Sequence, residues 1–547
     1  MSVNMEHLQE WLVDIANVIE QNQSLDQNHY NHFIQEPELA HQLVDVLVAM
    51  EEQSVDEAKP FYSACVFAIE VCISHMQAGL EADSKVAAKM LEKLMHHLSQ
   101  CMLKSDHTLT FWMPVINAFY EVHVELSEEL KEAYFELVSQ EDTVYSDDDT
   151  NHLNAIRELI TELSDLSPFD ITENFFAQSY ALPPEFFSDL VADLYSIEEG
   201  REIALLTLLH PKYEVREIVV ATIDMLIDQI TLSPTSLSRL QAIKHWYPES
   251  YHTQFDHWIK QQRKLGVTFQ PERKIEATVR IKASEVDGSG AQGIFIHYLN
   301  EEQHRLCGLL YKKAYGIKDA WFTPNIPEED VVQYYNESFE ETIMLREVDL
   351  AFVQLMTNHF IAVGIEQNIL PDLHLLEIQE ALGVSFIPQA IQPVDLLNEL
   401  TVKIHPFTPE RVSEALKRTK TWSNTKRFTE SWFVESPEVD TIVNQHSSIQ
   451  DGIKVCHFES AFDAVFEEAF EKSRDDWMFH FLWVSLWLKP QTRANEKTWE
   501  DALLIAHCIH SGLPLKDIPI MEEIGKQTVL NSIETMNERR THLTRQS

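Results

Sequence analysis

Glycine is scarce in this chain, with 13 among 547 residues, and cysteine is scarcer still, with six. Glycine destabilises the interior of a helix, so its scarcity favours a fold in which most residues lie in helices joined by short turns. The cysteines are scattered and form none of the close pairs that bind zinc or mark a small disulfide-bonded domain. We therefore expect free thiols in a reducing compartment, and the sequence predicts a cytoplasmic protein.

Long apolar runs are also missing. The longest, Phe61–Met76 and Phe479–Leu488, fall short of the roughly 18 residues that span a bilayer, and the first contains Glu70. The N-terminal residues show no basic stretch followed by an apolar one, so no secretory signal is visible. Hydrophobic residues make up 44% of the chain, which is enough to build a core and argues against disorder. The sequence predicts a folded protein that does not enter a membrane.

Basic residues are few relative to acidic ones. The chain has 42 Lys and Arg against 88 Asp and Glu, a formal net charge of −46. The imbalance is concentrated in residues 1–200, where 38 acidic residues face 7 basic ones, a net charge of −31. Such a field repels nucleic acid and anionic membranes and attracts basic proteins. The sequence predicts a protein partner with a basic surface, although an acidic surface also serves solubility alone.

Breaks in the hydrophobic periodicity divide the chain into four regions. These are an acidic helical N-terminal region (1–150), a second helical segment (151–266), a small α+β module (267–325) and a C-terminal helical domain (326–547). Within the first region, Phe61–Met76 is apolar nearly all round, which predicts a central helix surrounded by its neighbours. Glu141–Asn151 reads as an exposed acidic loop, in which Ser146 precedes three aspartates and resembles the target of an acidophilic kinase.

One stretch has the pattern of a helical repeat. An apolar helix begins at Arg201, a turn contains His210-Pro211, and Val215-Arg216 opens a second apolar helix that runs to Leu226. This stretch resembles a HEAT-type repeat. The resemblance implies that Val215 packs between the two helices, that Arg216 ties neighbouring repeats together, and that the stacked helices present a binding surface; it implies no reaction. The expected fold is mostly α, multi-helical and partly solenoid-like.

The β-structure is expected around the richest cluster of glycines. Gly288, Gly290 and Gly293 lie between two stretches of alternating apolar residues, Ile275–Ala283 and Ile294–Leu299. A glycine-rich turn between two such stretches predicts a β-hairpin. After it, the leucines of residues 301–314 predict a helix, and residues 318–322 predict a third strand, which completes the small α+β module.

The hairpin loop is the candidate ligand site. Consecutive backbone amides around glycine can bind an anion, and cations lie near in sequence. The loop lacks the Lys-Ser/Thr ending of a phosphate-binding P-loop, and a strand rather than a helix follows it, so a simple turn remains the plainer interpretation. The candidate residues for an anion or ligand site are Arg280, Lys282, Asp287, Gly288, Ser289, Gly290 and Asp319.

A second cluster of cations suggests a surface for single-stranded nucleic acid. It is interleaved with Trp422 and ends beside Phe428, and basic side chains with aromatic ones suit stacked bases. A second basic stretch lies at residues 260–282. The large negative net charge opposes this function, and a solvated helix face explains the cluster equally well. The candidate patch consists of Arg411, Lys417, Arg418, Lys420, Lys426 and Arg427.

Motifs for catalysis and for metal binding are missing. There is no Gly-x-Ser-x-Gly and no His-Glu-x-x-His, and His97 with Cys101, one helical turn apart, is more typical of packing than of a metal site. The tryptophans of residues 477–487 lie at helical spacing and predict a core-facing stripe. We expect no metal and no cofactor. The sequence favours a non-enzymatic interaction protein, with a ligand-binding protein or enzyme that uses the hairpin loop as the first alternative and nucleic-acid binding as the second.

Overall fold

The computed structural model describes residues 5–21, 25–50, 59–81, 84–142, 149–270, 278–300, 303–337, 343–404, 408–450, 453–489 and 497–545. The chain forms two compact units, Met1–Ala204 and Leu205–Ser547. The boundary lies inside the segment 151–266 that the sequence groups together. Of the predicted acidic loop Glu141–Asn151, residues 143–148 with Ser146 lie outside the described residues, and its two ends are helical, since a helix ends at Asp142 and the next begins at Asp149.

The regular secondary structure among the described residues of the first unit is all helical. Its helices are α1 (Met5–Glu20), α2 (Gln27–Gln35), α3 (Ala40–Val48), α4 (Lys59–Glu81), α5 (Lys85–Lys104), α6 (Leu109–Glu121), α7 (Glu128–Asp142), α8 (Asp149–Glu162), α9 (Pro168–Gln178) and α10 (Phe186–Ser196), and α11 (Arg201–Leu206) spans the unit boundary. Local sequence sets several helix starts. At α9, for example, Ser167 and Asp170 cap each other's backbone amides, and Pro168 occupies the first helical position.

Helix α4 lies at the centre of the first unit. It packs against α1, α3, α5 and α6 through a buried face that includes Cys65, Ile69, Cys72 and Ile73. The prediction of a central helix surrounded by its neighbours is therefore confirmed. The helix is longer than its apolar run, and by length and mean hydropathy (1.3) it is the one described helix that could cross a membrane. Of that window 39% is buried inside the protein, and core helices of soluble proteins also pass this test of length and hydropathy.

The second unit surrounds a sheet with helices. The helices are α12 (Tyr213–Leu226), α13 (Pro234–Trp246), α14 (Glu249–Lys264), α15 (Glu328–Glu337), α16 (Leu350–Glu366), α17 (His374–Leu382), α18 (Pro393–Val402), α19 (Pro409–Thr419), α20 (Trp422–Thr425), α21 (Pro437–Gln445), α22 (Phe458–Val465), α23 (Arg474–Leu488), α24 (Thr498–His510) and α25 (Pro519–Arg545). The fold is thus mostly α with a small α+β module, as the sequence predicts.

The sheet consists of five antiparallel strands in the order β4-β3-β2-β1-β5. The strands are β1 (Thr278–Ala283), β2 (Ala291–Asn300), β3 (Gln303–Lys312), β4 (Gly316–Phe322) and β5 (Arg346–Glu347). Strands β1 and β2 pair from Thr278 opposite Leu299 to Ala283 opposite Ile294, so the predicted hairpin is confirmed. The expected third strand is also present, as β4.

The predicted helix at residues 301–314 is wrong, because residues 303–312 form β3. This strand lies between β2 and β4, and its residues Leu306, Cys307 and Leu309 are all buried. A strand buried on both faces carries a continuous apolar run rather than an alternating one, and such a run looks the same as a short buried helix. The alternation of apolar and polar residues that indicates a strand is therefore missing from the buried part of β3.

A second hairpin lies in the region that the sequence assigns to helices alone. Strands β6 (Ser447–Gln450) and β7 (Ile453–Cys456) pair antiparallel. In the sequence they are separated by Asp451-Gly452, the dipeptide that most favours a two-residue hairpin turn. That dipeptide is the signal that could have predicted this hairpin.

Helix α23 packs the C-terminal helices against the sheet. The indole of Trp483 donates to the side-chain oxygen of Gln292 on β2 at 2.8 Å, and the indole of Trp487 donates to the carbonyl of Ala283 on β1 at 3.2 Å. Both tryptophans are fully buried. The predicted tryptophan stripe is therefore part of the core, and two of its indole N–H groups bond to the sheet.

Candidate functional site

The glycine-rich loop between β1 and β2 is closed by one of its own side chains. The carboxylate of Asp287 accepts hydrogen bonds from the backbone amide of Ala291 at 2.8 Å and from the hydroxyl of Ser289 at 2.7 Å. The amide of Gly290, which has a φ of 77°, donates to the carbonyl of Asp287 at 3.1 Å. The Asp287 carboxylate therefore uses a backbone donor that a bound anion would need.

The same loop is packed against the segment between α20 and α21. The amide of Gly288 donates to the carbonyl of Ser431 at 3.1 Å, and a Cβ atom at Gly288 would lie only 2.4 Å from the carbonyl oxygen of Phe433. The indole of Trp432 donates to the carbonyl of Val286 at 2.8 Å. The loop is a tightly packed turn, and Gly288 permits the close approach of two backbones.

The remaining candidates for the anion site lie apart from one another. Arg280 and Lys282 lie on β1, where their Cα partners on β2 are His297 and Phe295. Asp319 lies on β4 at the far edge of the sheet. Three strand spacings of about 4.8 Å separate β1 from β4, which places the two strands about 14 Å apart. Strands β2 and β3 lie between β1 and β4, so Asp319 is separated from Arg280 and Lys282.

The basic patch is divided between structural ion pairs and exposed side chains. Arg418 makes a two-point contact with the buried carboxylate of Asp501, with nitrogen–oxygen distances of 2.9 and 2.5 Å, and Arg411 contacts Glu500 at 2.5 Å. Both pairs join α19 to α24. Lys417, Lys420 and Arg427 are exposed, and Lys426 is half-buried.

The aromatic side chains within the patch are enclosed. Trp422 and Phe428 are 2% and 3% exposed, and their rings pack against each other and against Trp432. A base can stack only on an accessible ring, so these rings do not offer the platform that single-stranded nucleic acid needs. In the stretch 260–282, residues 271–277 lie outside the described residues.

The second unit has a cleft of about 480 Å³ between α13 and α17. Gln241 and His245 line it from α13, and the segment 383–387 lines it from the end of α17. At its wall, Arg239 is held by the carboxylate of Glu380 through contacts of 2.7 and 3.0 Å. The volume suits a small ligand. Sequence reasoning missed the cleft because its walls come from distant parts of the chain.

The charged surface of the first unit is the largest electrostatic feature. The described carboxylates of its helices are mainly exposed, as at Glu10, Asp14, Glu92 and Glu158. With 7 basic residues for 38 acidic ones in residues 1–200, most of these carboxylates have no basic side chain available to neutralise them. Their fields add, which gives the unit a strong attraction for cations and basic surfaces.

Helix α7 combines this charge with an exposed aromatic ring. Glu128, Glu132 and Glu136 follow one another at every fourth residue and are all exposed. Phe135, which is 49% exposed, lies on the same side of the helix, seven residues after Glu128. Lys131 contacts Glu128 at 2.8 Å and Glu125 at 3.6 Å. We call Glu128, Glu132, Phe135 and Glu136 the α7 face.

Comparisons with known proteins support a relationship to a family of uncharacterised function. Residues 183–266 match the family model for the Y4lR second domain, and residues 394–533 match that for the Y4lR C-terminal helical domain. The chain is 25% identical over 304 residues to the uncharacterised protein y4lR of Sinorhizobium fredii (strain NBRC 101917 / NGR234). That alignment covers 54% of this chain and 56% of the relative, so the chain spans about half of that protein's length.

No solved structure matches the chain. The segment 201–226, which resembles a HEAT repeat, falls inside the match to the Y4lR second domain. The family matches therefore support similarity to Y4lR proteins in this segment.

Proposed function

We propose that this chain is a non-enzymatic interaction protein whose acidic first unit docks a partner with a basic surface. The observation that carries the proposal is the net charge of −31 in residues 1–200, displayed on exposed faces of packed helices. A charge of this size steers a basic partner towards the unit and speeds its association.

The α7 face is the proposed centre of the docking surface. Charge alone gives fast but weak and unselective association, whereas a partly exposed aromatic ring supplies apolar area that a partner can bury. Phe135 supplies such a ring, and Glu128, Glu132 and Glu136 surround it with negative charge. The chemistry fits a partner surface on which lysine or arginine side chains flank an apolar pocket.

The test compares two variants that carry the same change in charge. In the first variant, glutamine replaces Glu128, Glu132 and Glu136. In the control, Glu328 and Glu329 become glutamine and Asp330 becomes asparagine, since these α15 residues are also exposed but belong to the second unit. The full chain is first used to capture proteins at about 0.05 M salt, and those released at about 0.5 M are identified. The association rate of the purified partner is then measured for each variant.

We expect the α7 variant to associate about tenfold more slowly at low salt, and the α15 control to change by less than about twofold. Equal losses in the two variants would show that net charge alone governs association and would remove the α7 face from the proposal. Failure to capture any salt-released protein would count against the whole function.

The aromatic ring has a separate test. Phe135→Ala removes buried apolar contact in the complex without changing charge, so it should raise the dissociation rate and leave the association rate unchanged. Leu103→Ala is the matched control, because Leu103 is exposed to a similar degree, 46%, on α5 of the same unit. An unchanged dissociation rate for Phe135→Ala would exclude the ring as an anchor.

The likeness of residues 201–226 to a HEAT repeat remains part of the proposal. Val215 is 2% exposed, and the guanidinium of Arg216 donates to the carbonyls of His210, Pro211 and Asn368 at 2.9, 2.7 and 3.2 Å. Arg216 thus joins the turn before α12 to Asn368, 152 residues further along the chain. Arg216→Lys loses the forked donor geometry and should lower the melting temperature.

The proposed location is the cytoplasm. All six cysteines are free, and Cys65, Cys72, Cys307 and Cys508 are buried. Free buried thiols suit a reducing compartment. Cell fractionation with the full-length protein tests this location, and recovery in an oxidising compartment or with membranes would contradict it.

A second candidate function, binding of a small ligand, rests on the cleft between α13 and α17. A thermal-shift screen with nucleotides, sugar phosphates and other small polar compounds tests it, because a ligand that binds the native state raises the melting temperature. Ala242→Phe should fill part of the cleft and abolish the shift. A compound that shifts the wild type and Ala242→Phe equally binds elsewhere.

A further inference from the structure

Helices α3 and α5 of the first unit face each other with two pairs of potential metal ligands. His41 and Asp45 lie four residues apart on α3, and His97 and Cys101 lie four residues apart on α5. Residues at this spacing project from the same side of a helix. The sequence shows only the pair on α5, because its partner Asp45 lies 52 residues earlier in the chain than His97.

Three ligand atoms from these pairs converge. The Nε2 atom of His97 lies 2.8 Å from the Oδ1 atom of Asp45 and 3.7 Å from the Sγ atom of Cys101, and all three atoms lie within 4.8 Å of one another. Around a tetrahedral zinc ion, with bonds of about 2.0 Å to nitrogen and oxygen and about 2.3 Å to sulfur, ligand atoms are about 3.3 to 3.6 Å apart. The two distances from the His97 Nε2 atom lie within about 0.5 Å of that spacing, and the Asp45 and Cys101 side chains, whose ligand atoms lie within 4.8 Å of each other, adjust to meet one ion.

We propose that Asp45, His97 and Cys101 form a site for a divalent transition metal ion of the zinc type, with water as the fourth ligand. A thiolate, an imidazole and a carboxylate together favour zinc or cobalt over magnesium or calcium, which prefer oxygen ligands alone. An ion bound there ties α3 to α5 through ligands from both helices.

The surroundings let an ion enter and hold the imidazole in place. The side chains of Asp45 and His97 are 57% and 31% exposed, so the site opens to solvent. The ring of His41 packs beside that of His97, with the ring centres 5.5 Å apart, and its Nδ1 lies 3.4 Å from the carbonyl of Glu38. The His41 ring thus packs against one side of the His97 imidazole.

The contrasting interpretation is a hydrogen bond between Asp45 and His97 that joins the two helices, with Cys101 as a packing residue. The two interpretations differ in one measurable respect: only a metal site brings the Cys101 sulfur into a bond with an added ion. Cobalt(II) is the suitable probe, because it replaces zinc in tetrahedral sites and a cobalt–thiolate bond absorbs in the near ultraviolet.

The experiment titrates cobalt(II) into the reduced full-length protein. We expect a saturable one-to-one rise of the thiolate-to-cobalt band together with the strong visible bands of tetrahedral cobalt, both lost when zinc is added. Cys101→Ser should remove the thiolate band. The matched control is Cys456→Ser, because Cys456 is also a partly exposed free cysteine but lies in the second unit, and this variant should keep the band.

Two isosteric variants test the other ligands. Asp45→Asn and His97→Gln keep much of the side-chain volume, and circular dichroism confirms that they fold. Each should lower the cobalt affinity by at least about tenfold. No saturable binding to the wild type, or a thiolate band that survives in Cys101→Ser, would overturn the site. Unchanged affinity in both isosteric variants would overturn the assignment of the ligands.

Discussion

The side-chain amide of Gln292 links Trp483 to the start of the hairpin loop. Its oxygen accepts from the Trp483 indole at 2.8 Å, and its nitrogen donates to the carbonyl of Ser284 at 2.7 Å. Gln292 is 1% exposed, so water cannot replace either bond. One polar side chain therefore joins helix α23 of the C-terminal region to strand β2 and to the loop of the sheet.

Gln292→Leu should destabilise the second unit. The substitution leaves the Trp483 N–H and the Ser284 carbonyl buried without these partners, and each unsatisfied group costs about 1 to 3 kcal/mol. We expect the free energy of unfolding to fall by about 2 to 4 kcal/mol in denaturant titrations. Combination with Trp483→Phe should recover part of the loss, because the orphaned donor is then absent. A loss within experimental error would show that the bond contributes nothing.

Gly288→Ala should be more damaging than Gly290→Ala. A Cβ atom at Gly288 collides with backbone atoms of Phe433 and Ser431, which cannot move aside without disturbing the packed loop. At Gly290 a Cβ atom meets one close atom, the Lys313 Cβ at 2.9 Å, instead of three backbone atoms at 2.4 to 2.6 Å, and the positive φ adds about 1 to 2 kcal/mol. Melting temperatures of the two variants give the order, and the reverse order would contradict the close backbone approach.

Arg418→Ala should destabilise the contact between α19 and α24. The carboxylate of Asp501 is 3% exposed, so removal of Arg418 leaves a buried charge without this partner. Breaking a buried pair from one side costs about 3 to 5 kcal/mol when both groups are enclosed, and we expect about 2 to 3 here because Arg418 is 37% exposed. Lys420→Ala, at an exposed cation of the same patch, is the control and should change stability by less than about 0.5 kcal/mol.

Acid should weaken the second unit through two buried histidines. Burial and the nearby Lys313 ammonium lower the pKa of His480 to about 3, and burial lowers the pKa of His359 to about 4. Because the unfolded chain takes up these protons near pH 6.5 and the folded chain does not, stability is retained above pH 6.5 and lost as the pH falls from 6.5 towards 4. Denaturant titrations at several pH values measure this loss.

The variant His480→Phe isolates one of the two groups. The Nε2 atom of His480 is buried without a hydrogen-bond partner among the described residues, and Trp432, Trp477 and Phe481 surround the ring, so phenylalanine suits the site. We expect the variant to match the wild type near pH 7 and to exceed its stability by about 2 kcal/mol at pH 5. An identical pH dependence in both proteins would show that His480 takes up its proton in the folded state.

Features set by local pattern could be predicted from the sequence. The scarcity of glycine and the helical spacing of apolar residues indicated a mostly α fold, and alternation on both sides of a glycine-rich turn indicated the hairpin of β1 and β2. The acidic composition of the first 200 residues needed no structure at all, since charge is a property of the residues themselves. Burial of the tryptophan stripe on α23 followed in the same way from helical spacing.

Features set by contacts between distant residues could not be predicted. Strand β3 lost its alternation because helices α15 and α16 pack against it, so that both of its faces are buried. The place of Asp319, far from Arg280, depends on the order of the strands, which no local pattern contains. Likewise, the partner of Arg418 is 83 residues away in the chain, and that contact decides that Arg418 belongs to a structural ion pair.

The sequence by itself determined the helical class, the hairpin turn and the sign and location of the net charge, because each depends on residue type and short-range spacing. Only the tertiary structure decided what the singled-out residues do. It turned the glycine-rich loop into a packed turn by bringing Phe433 against Gly288, and it brought Asp45 to His97 and Cys101 by packing α3 on α5. Chemistry between side chains requires distances of a few ångströms, and for residues remote in sequence only the folded chain sets those distances.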